Sequence, residues 1–99
     1  AETLPTACNT PEIRLKCPEY LKQAVVERIA DLYSKDFRVD RIDGVRVKFP
    51  QGWGLVRASN TQPVLVLRFE ACDPEALDKI SADVRGNVEK ILDEMSSVD

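Results

Sequence analysis

Apolar and polar residues along this chain alternate, then recur every three or four positions, then alternate again, and the changes of period mark out its elements. Across residues 12–17, Ile13, Leu15 and Cys17 fall on one face and Arg14 and Lys16 on the other, the period of two that makes a half-buried strand. Pro18 can then open a helix, because its missing N–H falls among the first-turn donors that have no helical partner. Leu21, Ala24, Val25, Ile29, Leu32 and Tyr33 follow at spacings of three and four and predict an apolar stripe on a helix over 18–35. Alternation returns over 37–43 through Phe37, Val39 and Ile42, with one slip that calls for a bulge or a register change. Asp43-Gly44 separates this run from Val45-Arg46-Val47-Lys48-Phe49, and Asp-Gly between alternating runs is a strong hairpin signal. Pro50-Gln51-Gly52 turns the chain once more, residues 54–58 form the next strand, and residues 64–71, apolar in succession, read as a central strand buried on both faces. Asp73-Pro74-Glu75 supplies an N-cap, a first-turn proline and an acid favoured by the helix dipole. Leu77, Ile80, Val84, Val88, Ile91, Leu92 and Met95 mark one face of the helix that follows, weakened at Gly86 by about 1 kcal/mol relative to alanine.

The order β-α-β-β-β-β-α implies an α+β fold in two layers, an antiparallel sheet with two amphipathic helices covering one face. Residues 1–10 show no periodicity and read as an extended linker, leaving 11–99 as the domain. Trp53, between two glycines at a turn, reads as a packing anchor with one edge wet. Gly52 and Gly54 are expected to allow backbone angles that other residues resist.

A chain of 99 residues can bury one core and no second. Its 43% hydrophobic and 31% charged content is that of a soluble globular protein, and no apolar run approaches the roughly 20 residues needed to span a membrane. The start, Ala1-Glu2-Thr3-Leu4-Pro5, shows neither a basic region nor an apolar segment, so no secretory signal is expected. Cys8, Cys17 and Cys72 are odd in number and unrelated in spacing, which argues against a disulfide framework and for a reducing, cytoplasmic setting. The absence of histidine excludes Ser-His-Asp and Cys-His catalysis within this chain. Adjacent acids such as Asp93-Glu94 point to different sides of a helix and make a solvated surface, not a magnesium site.

The formal charge of −3 hides an asymmetry. Residues 37–71 hold six basic side chains against three acidic, whereas residues 73–99 hold three basic against eight acidic. A locally positive sheet favours a small anion near the strands, while the acidic remainder disfavours a polyanion wrapped over the surface.

The chemistry concentrates at Arg57-Ala58-Ser59-Asn60-Thr61-Gln62-Pro63, between two strands. A phosphate dianion needs a planar guanidinium for paired N–H bonds, hydroxyl donors, and backbone N–H groups turned inward by a tight loop. Arg57, Ser59, Asn60 and Thr61 supply all of these, and Pro63 stiffens the exit. Ser-Asn-Thr is also ordinary turn composition, since such side chains bond their own backbone.

This heptapeptide, with Asp43-Gly44-Val45-Arg46-Val47 and Trp53-Gly54 before it and Leu67-Arg68-Phe69-Glu70-Ala71 after it, closely resembles the C-terminal domain of the α-D-phosphohexomutases, in their bacterial phosphomannomutase/phosphoglucomutase branch. The resemblance covers nearly the whole chain. It implies a fold similar to that of the TATA-binding protein, entered through a hinge at residues 1–10. In the resembling enzymes a phosphoryl group moves reversibly between the 1- and 6-positions of a hexose by way of a bisphosphorylated sugar, and the C-terminal domain rotates onto the substrate to hold the phosphate that is not reacting. Arg57, Ser59, Asn60 and Thr61 match the residues that make this contact. The family's active-site phosphoserine, its aspartate-rich magnesium loop and its sugar-selecting loop belong to three preceding domains, and none of these motifs appears here. The resemblance therefore implies no catalytic residue, no metal ligand and no turnover in this chain, with Mg²⁺ expected in the other domains of the full-length enzyme. Its expected partners are a phosphosugar and those domains, with neither nucleic acid nor membrane. Asn60 favours the mannose/glucose branch over the phosphoglucosamine branch, where glycine is usual, and Gln62 departs from the family's glutamate or threonine.

The alternative is a free-standing α+β module that binds a phosphorylated metabolite or nucleic acid. Nucleic-acid-binding sheets of this size usually carry aromatic residues on open strands, whereas alternation places Phe37, Phe49 and Phe69 with the core.

Overall fold

The computed structural model describes residues 8–96. Its elements are β1 (Cys8–Asn9), β2 (Ile13–Lys16), α1 (Lys22–Ser34), β3 (Arg38–Asp40), β4 (Val45–Phe49), β5 (Gly52–Ala58), β6 (Val64–Ala71) and α2 (Pro74–Ser96). The strands form one antiparallel sheet in the order β1-β6-β5-β4-β3, with β2 also paired to β6. Strand β6 is central: β5 runs along one edge, from Gly52 opposite Ala71 to Ala58 opposite Leu65, and β1 and β2 share the other. Both helices pack on the face that carries Val47, Val56, Leu67 and Phe69, so the fold is the expected α+β double layer. No helix among the described residues is long and apolar enough to cross a membrane.

Several local expectations are corrected. Cys8–Asn9, assigned by sequence to the linker, pair with Glu70 and Ala71 as a short strand; residues 1–7 of that linker lie outside the described residues. Pro18 keeps an extended ψ of 141° and caps a single 3-10 turn over Glu19–Leu21, so the α-helix begins at Lys22 and not at residue 18. The buried face of α1 is Lys22, Val25, Val26, Ile29, Ala30 and Tyr33, whereas Ala24 and Leu32 are exposed. Strand β3 ends at Asp40, whose carboxylate accepts the Ile42 N–H at 2.9 Å and pulls the chain out of the ladder. Ile42 is consequently exposed and not on the apolar face.

Trp53 lies within β5, not at a turn. It stands on the face without helices, and the Arg46 guanidinium sits over its ring, 4.8 Å from the centroid. Gly52 and Gly54 have ordinary backbone angles; they matter because they lack Cβ atoms. A Cβ at Gly52 would lie 2.1 Å from the Glu70 carbonyl oxygen, and one at Gly54 would lie 3.0 Å from the Phe69 ring.

The second helix follows its pattern at Ile80, Val84, Val88 and Ile91, with Leu77, Leu92 and Met95 only partly buried and Ala76, which the pattern does not mark, inside. Asp73 caps it through Oδ1, which accepts the Ala76 N–H at 2.7 Å, and Ala76, Ile80, Val84, Val88 and Ile91 are buried. Gly86 is exposed within it, with open space where a Cβ would stand. Cys8, Cys17 and Cys72 form no disulfide.

Tyr33 ties α1 to α2 and to the Phe37–Phe49 ring pair. Its ring meets Phe49 edge-on at 5.7 Å. Its hydroxyl donates to Asp83 at 2.6 Å and accepts from the Asn87 amide at 2.8 Å. Burial, followed by the bond to Asp83, raises its pKa well above the ordinary phenol value, and the bond from Asn87 only partly offsets this. Because the folded value is the higher one, this stabilisation is whole below about pH 10 and is lost as pH rises toward the folded value. Thermal melts are expected to show the wild-type melting temperature falling above about pH 10, with a shallower fall in Tyr33→Phe. Equal slopes in the two proteins would contradict this assignment.

Candidate phosphate loop

The loop joining β5 to β6 is folded on its own atoms. Ser59 N–H donates to the Val64 carbonyl at 3.1 Å, and Val64 N–H donates to the Gln62 carbonyl at 2.8 Å. The Ser59 hydroxyl oxygen lies in line to accept the N–H groups of Thr61 at 3.4 Å and Gln62 at 3.3 Å, the local bonding that suits serine to turns. Those two N–H groups are therefore directed into the loop, whereas the sequence reading has the loop's N–H groups available to an anion. The serine retains its O–H as a donor.

Neighbouring elements hold the loop from outside. Strand β2 contributes Arg14, whose guanidinium donates to the Gln62 side chain at 3.1 Å, and the residue after it contributes the Cys17 N–H, which donates to the Pro63 carbonyl at 2.9 Å. The first residue of α1, Lys22, reaches the loop from beneath. Its ammonium donates to the Ser59 carbonyl and, at 3.1 Å, to the Gln62 carbonyl, and it pairs with Glu19 at 3.0 Å.

Arg57 and Asn60 line one cleft of about 480 Å³ between the start of α1 and the 41–45 turn. Arg41 and Gly44 line it as well. Gly44 has a φ of +100°, and an added Cβ there would lie 2.7 Å from the Val56 carbonyl oxygen, so the turn closes over β5 only with glycine. Ser59 and Asn60 also line an adjoining cleft of about 400 Å³ with Glu19, Tyr20 and Lys22. Thr61 lines neither cleft; it is exposed at the tip. Asn60 is thus common to the two clefts, with Arg57 lining one, Ser59 the other and Thr61 neither.

The charge around the first cleft is more balanced than the sequence implies, since Glu27 and Asp43 line it beside Arg41 and Arg57. Arg41 pairs with Asp31 at 3.1 Å. Among the described residues no carboxylate pairs with Arg57, and its Nε is buried without a hydrogen-bond partner. A guanidinium nitrogen left in this state costs stability unless something else satisfies it.

Lys22 is the residue that sequence reasoning missed. A signal was present: it falls three and four positions before Val25 and Val26, on the buried face of the helix, where a lysine must find acceptors.

Comparison with known proteins adds to this geometry. Residues 12–87 match the family described as phosphoglucomutase/phosphomannomutase, C-terminal domain. The chain is 43% identical, over 95% of its length, to a phosphomannomutase/phosphoglucomutase of Pseudomonas syringae pv. tomato, of which it covers 20%. It is 40% identical, over 87% of its length, to a phosphoglucomutase of Neisseria meningitidis serogroup B, of which it covers 19%. A crystal structure of a phosphoglucomutase/phosphomannomutase family protein from Burkholderia thailandensis superposes with a TM-score of 0.70 at 39% identity, covering 88% of this chain and 18% of that one. The chain spans about a fifth of the length of these relatives.

Proposed function

Because the chain belongs to the phosphoglucomutase/phosphomannomutase family, as its C-terminal domain, we propose that it is the substrate-phosphate-binding part of a mutase that interconverts hexose 1-phosphate and hexose 6-phosphate. The observation that carries this reading is Arg57, a guanidinium with no carboxylate partner and an unsatisfied Nε, lining the same cleft as Asn60 of the loop. Its planar fork suits two phosphate oxygens, and the Ser59 hydroxyl and the Asn60 and Thr61 side chains add neutral donors. Binding a phosphate remote from the reacting one supplies energy that orients the sugar, and a mobile domain that closes on it excludes water. The phosphoryl transfer itself is assigned to the other domains of the longer enzyme, so the 99-residue chain is expected to show no turnover. Among the described residues no group of three Cys, Asp or Glu side chains is placed to hold a metal ion, and the reading gives this chain no part in binding magnesium.

The nucleic-acid alternative gains nothing from the sheet. Phe69 is fully buried, Phe37 and Phe49 pack with Tyr33, and Trp53 on the face without helices is capped by Arg46.

Titrating the 99-residue chain with glucose 1-phosphate while following backbone amide shifts tests the proposal. Movement is expected at residues 57–61 and little elsewhere, with low affinity because the remaining sugar contacts lie in other domains. A response centred on the Trp53 face, or silence across 57–61 at saturating ligand, would count against it.

A further inference from the structure

We propose that Lys22 is the positioning residue of the phosphate loop, and that it aims the Asn60 backbone N–H outward as the loop's main-chain anion donor. The inference rests on the reading of this loop as a phosphate site and adds to it the residue that sets its geometry.

Lys22 is 5% exposed, and a lysine so buried is stable only with its ammonium fully paired. An ammonium has three N–H groups. Here three acceptors meet it: the Ser59 carbonyl, the Gln62 carbonyl at 3.1 Å and the Glu19 carboxylate at 3.0 Å. None is left to bind a ligand. Lys22 therefore acts on the loop and not on the anion.

The consequence follows from peptide geometry. All peptide bonds described here are trans, and in a trans peptide the C=O and the following N–H point to opposite sides. With the Ser59 carbonyl drawn down to Lys22, the N–H of Asn60 faces away from α1. The second carbonyl held by Lys22, that of Gln62, precedes Pro63, which has no N–H to turn. The other N–H groups of the loop are already engaged: Ser59 with the Val64 carbonyl, Thr61 and Gln62 with the Ser59 hydroxyl oxygen. Asn60 is thus the position in 59–62 whose N–H has no acceptor among the described residues, and it lines the clefts reached by Arg57 and Ser59. An outward N–H beside a guanidinium is the pairing that receives an anion.

The test has two arms, both read by amide shifts with inorganic phosphate as the probe. In the wild-type chain, phosphate is expected to move the Asn60 amide downfield by more than those of Thr61 and Gln62, whose hydrogens are already bonded. A larger shift at Thr61 or Gln62 would overturn the proposal without any variant. In the second arm, Lys22→Met keeps the buried stem and removes the ammonium. The phosphate Kd is expected to rise about tenfold, the effect of one hydrogen bond to a charged group, with faster hydrogen exchange at 59–64 before phosphate is added. Lys22→Arg is expected to recover part of the affinity. Unchanged affinity and exchange in a folded Lys22→Met would refute the positioning role, and if that variant does not fold the wild-type arm decides. A wild-type loop with no response to either phosphate or glucose 1-phosphate would be a failure of the phosphate reading itself, distinguishable from the first because the exchange comparison needs no ligand.

Discussion

Phe69→Ala is expected to destabilise the domain by about 3–5 kcal/mol, roughly a fifth or more of the stability usual for a fold of this size. Phe69 is 1% exposed on the central strand, directly opposite Gly54. Its ring occupies the room that Gly54 leaves by having no Cβ, beneath Val84 of α2. The cavity left by alanine has little means of closing. Backbone ladders hold β6 from both edges, so neither strand can shift inward, and the facing glycine has no side chain to lean across. Urea denaturation should show a lower midpoint with an unchanged slope, the mark of lost stability without a change in the surface exposed. A midpoint equal to that of the wild type would mean that the ring is not part of the core. Since the β5–β6 loop begins directly after β5, any affinity measured on this variant must be corrected for the unfolded fraction.

What the sequence made legible was set by short-range pattern. Helix α2 could be read residue by residue, from the Asp73 cap through Ile80, Val84, Val88 and Ile91, because one face of one helix meets one sheet. Where a residue answers to a partner far along the chain, the pattern misled. Ala24 and Leu32 extend an apolar stripe on paper, but the helix turns Lys22, Val26 and Ala30 inward, since the lysine's acceptors lie 37 and 40 residues away in the loop. The glycines around Trp53 resemble turn residues, yet they are required by the close approach of β6. Two residues, Cys8 and Asn9, are too few to show alternation, and only pairing to β6 makes them a strand. In the loop itself the residue types were legible. The direction of each N–H was not, because Ser59 and Lys22 decide it through bonds that leave no periodic trace.

Arg57→Ala should separate binding from stability. A charge-assisted hydrogen bond contributes about 1.5–3 kcal/mol, so removing the guanidinium is expected to raise the Kd for glucose 1-phosphate by roughly 10- to 150-fold, or beyond measurable binding. Arg57→Lys keeps the charge but loses the planar fork, and its affinity should fall between the two. Thermal stability, by contrast, should hold or rise. No ion pair is broken, the alanine retains the Cβ that packs over Gly44, and a buried Nε without a partner is removed. Leaving such a donor unsatisfied costs about 1–3 kcal/mol. A fall in affinity joined to an unchanged or higher melting temperature is what a side chain retained for binding predicts. If instead the melting temperature drops by several degrees while the amide response to glucose 1-phosphate persists, Arg57 is a structural residue and the anion is held by other groups.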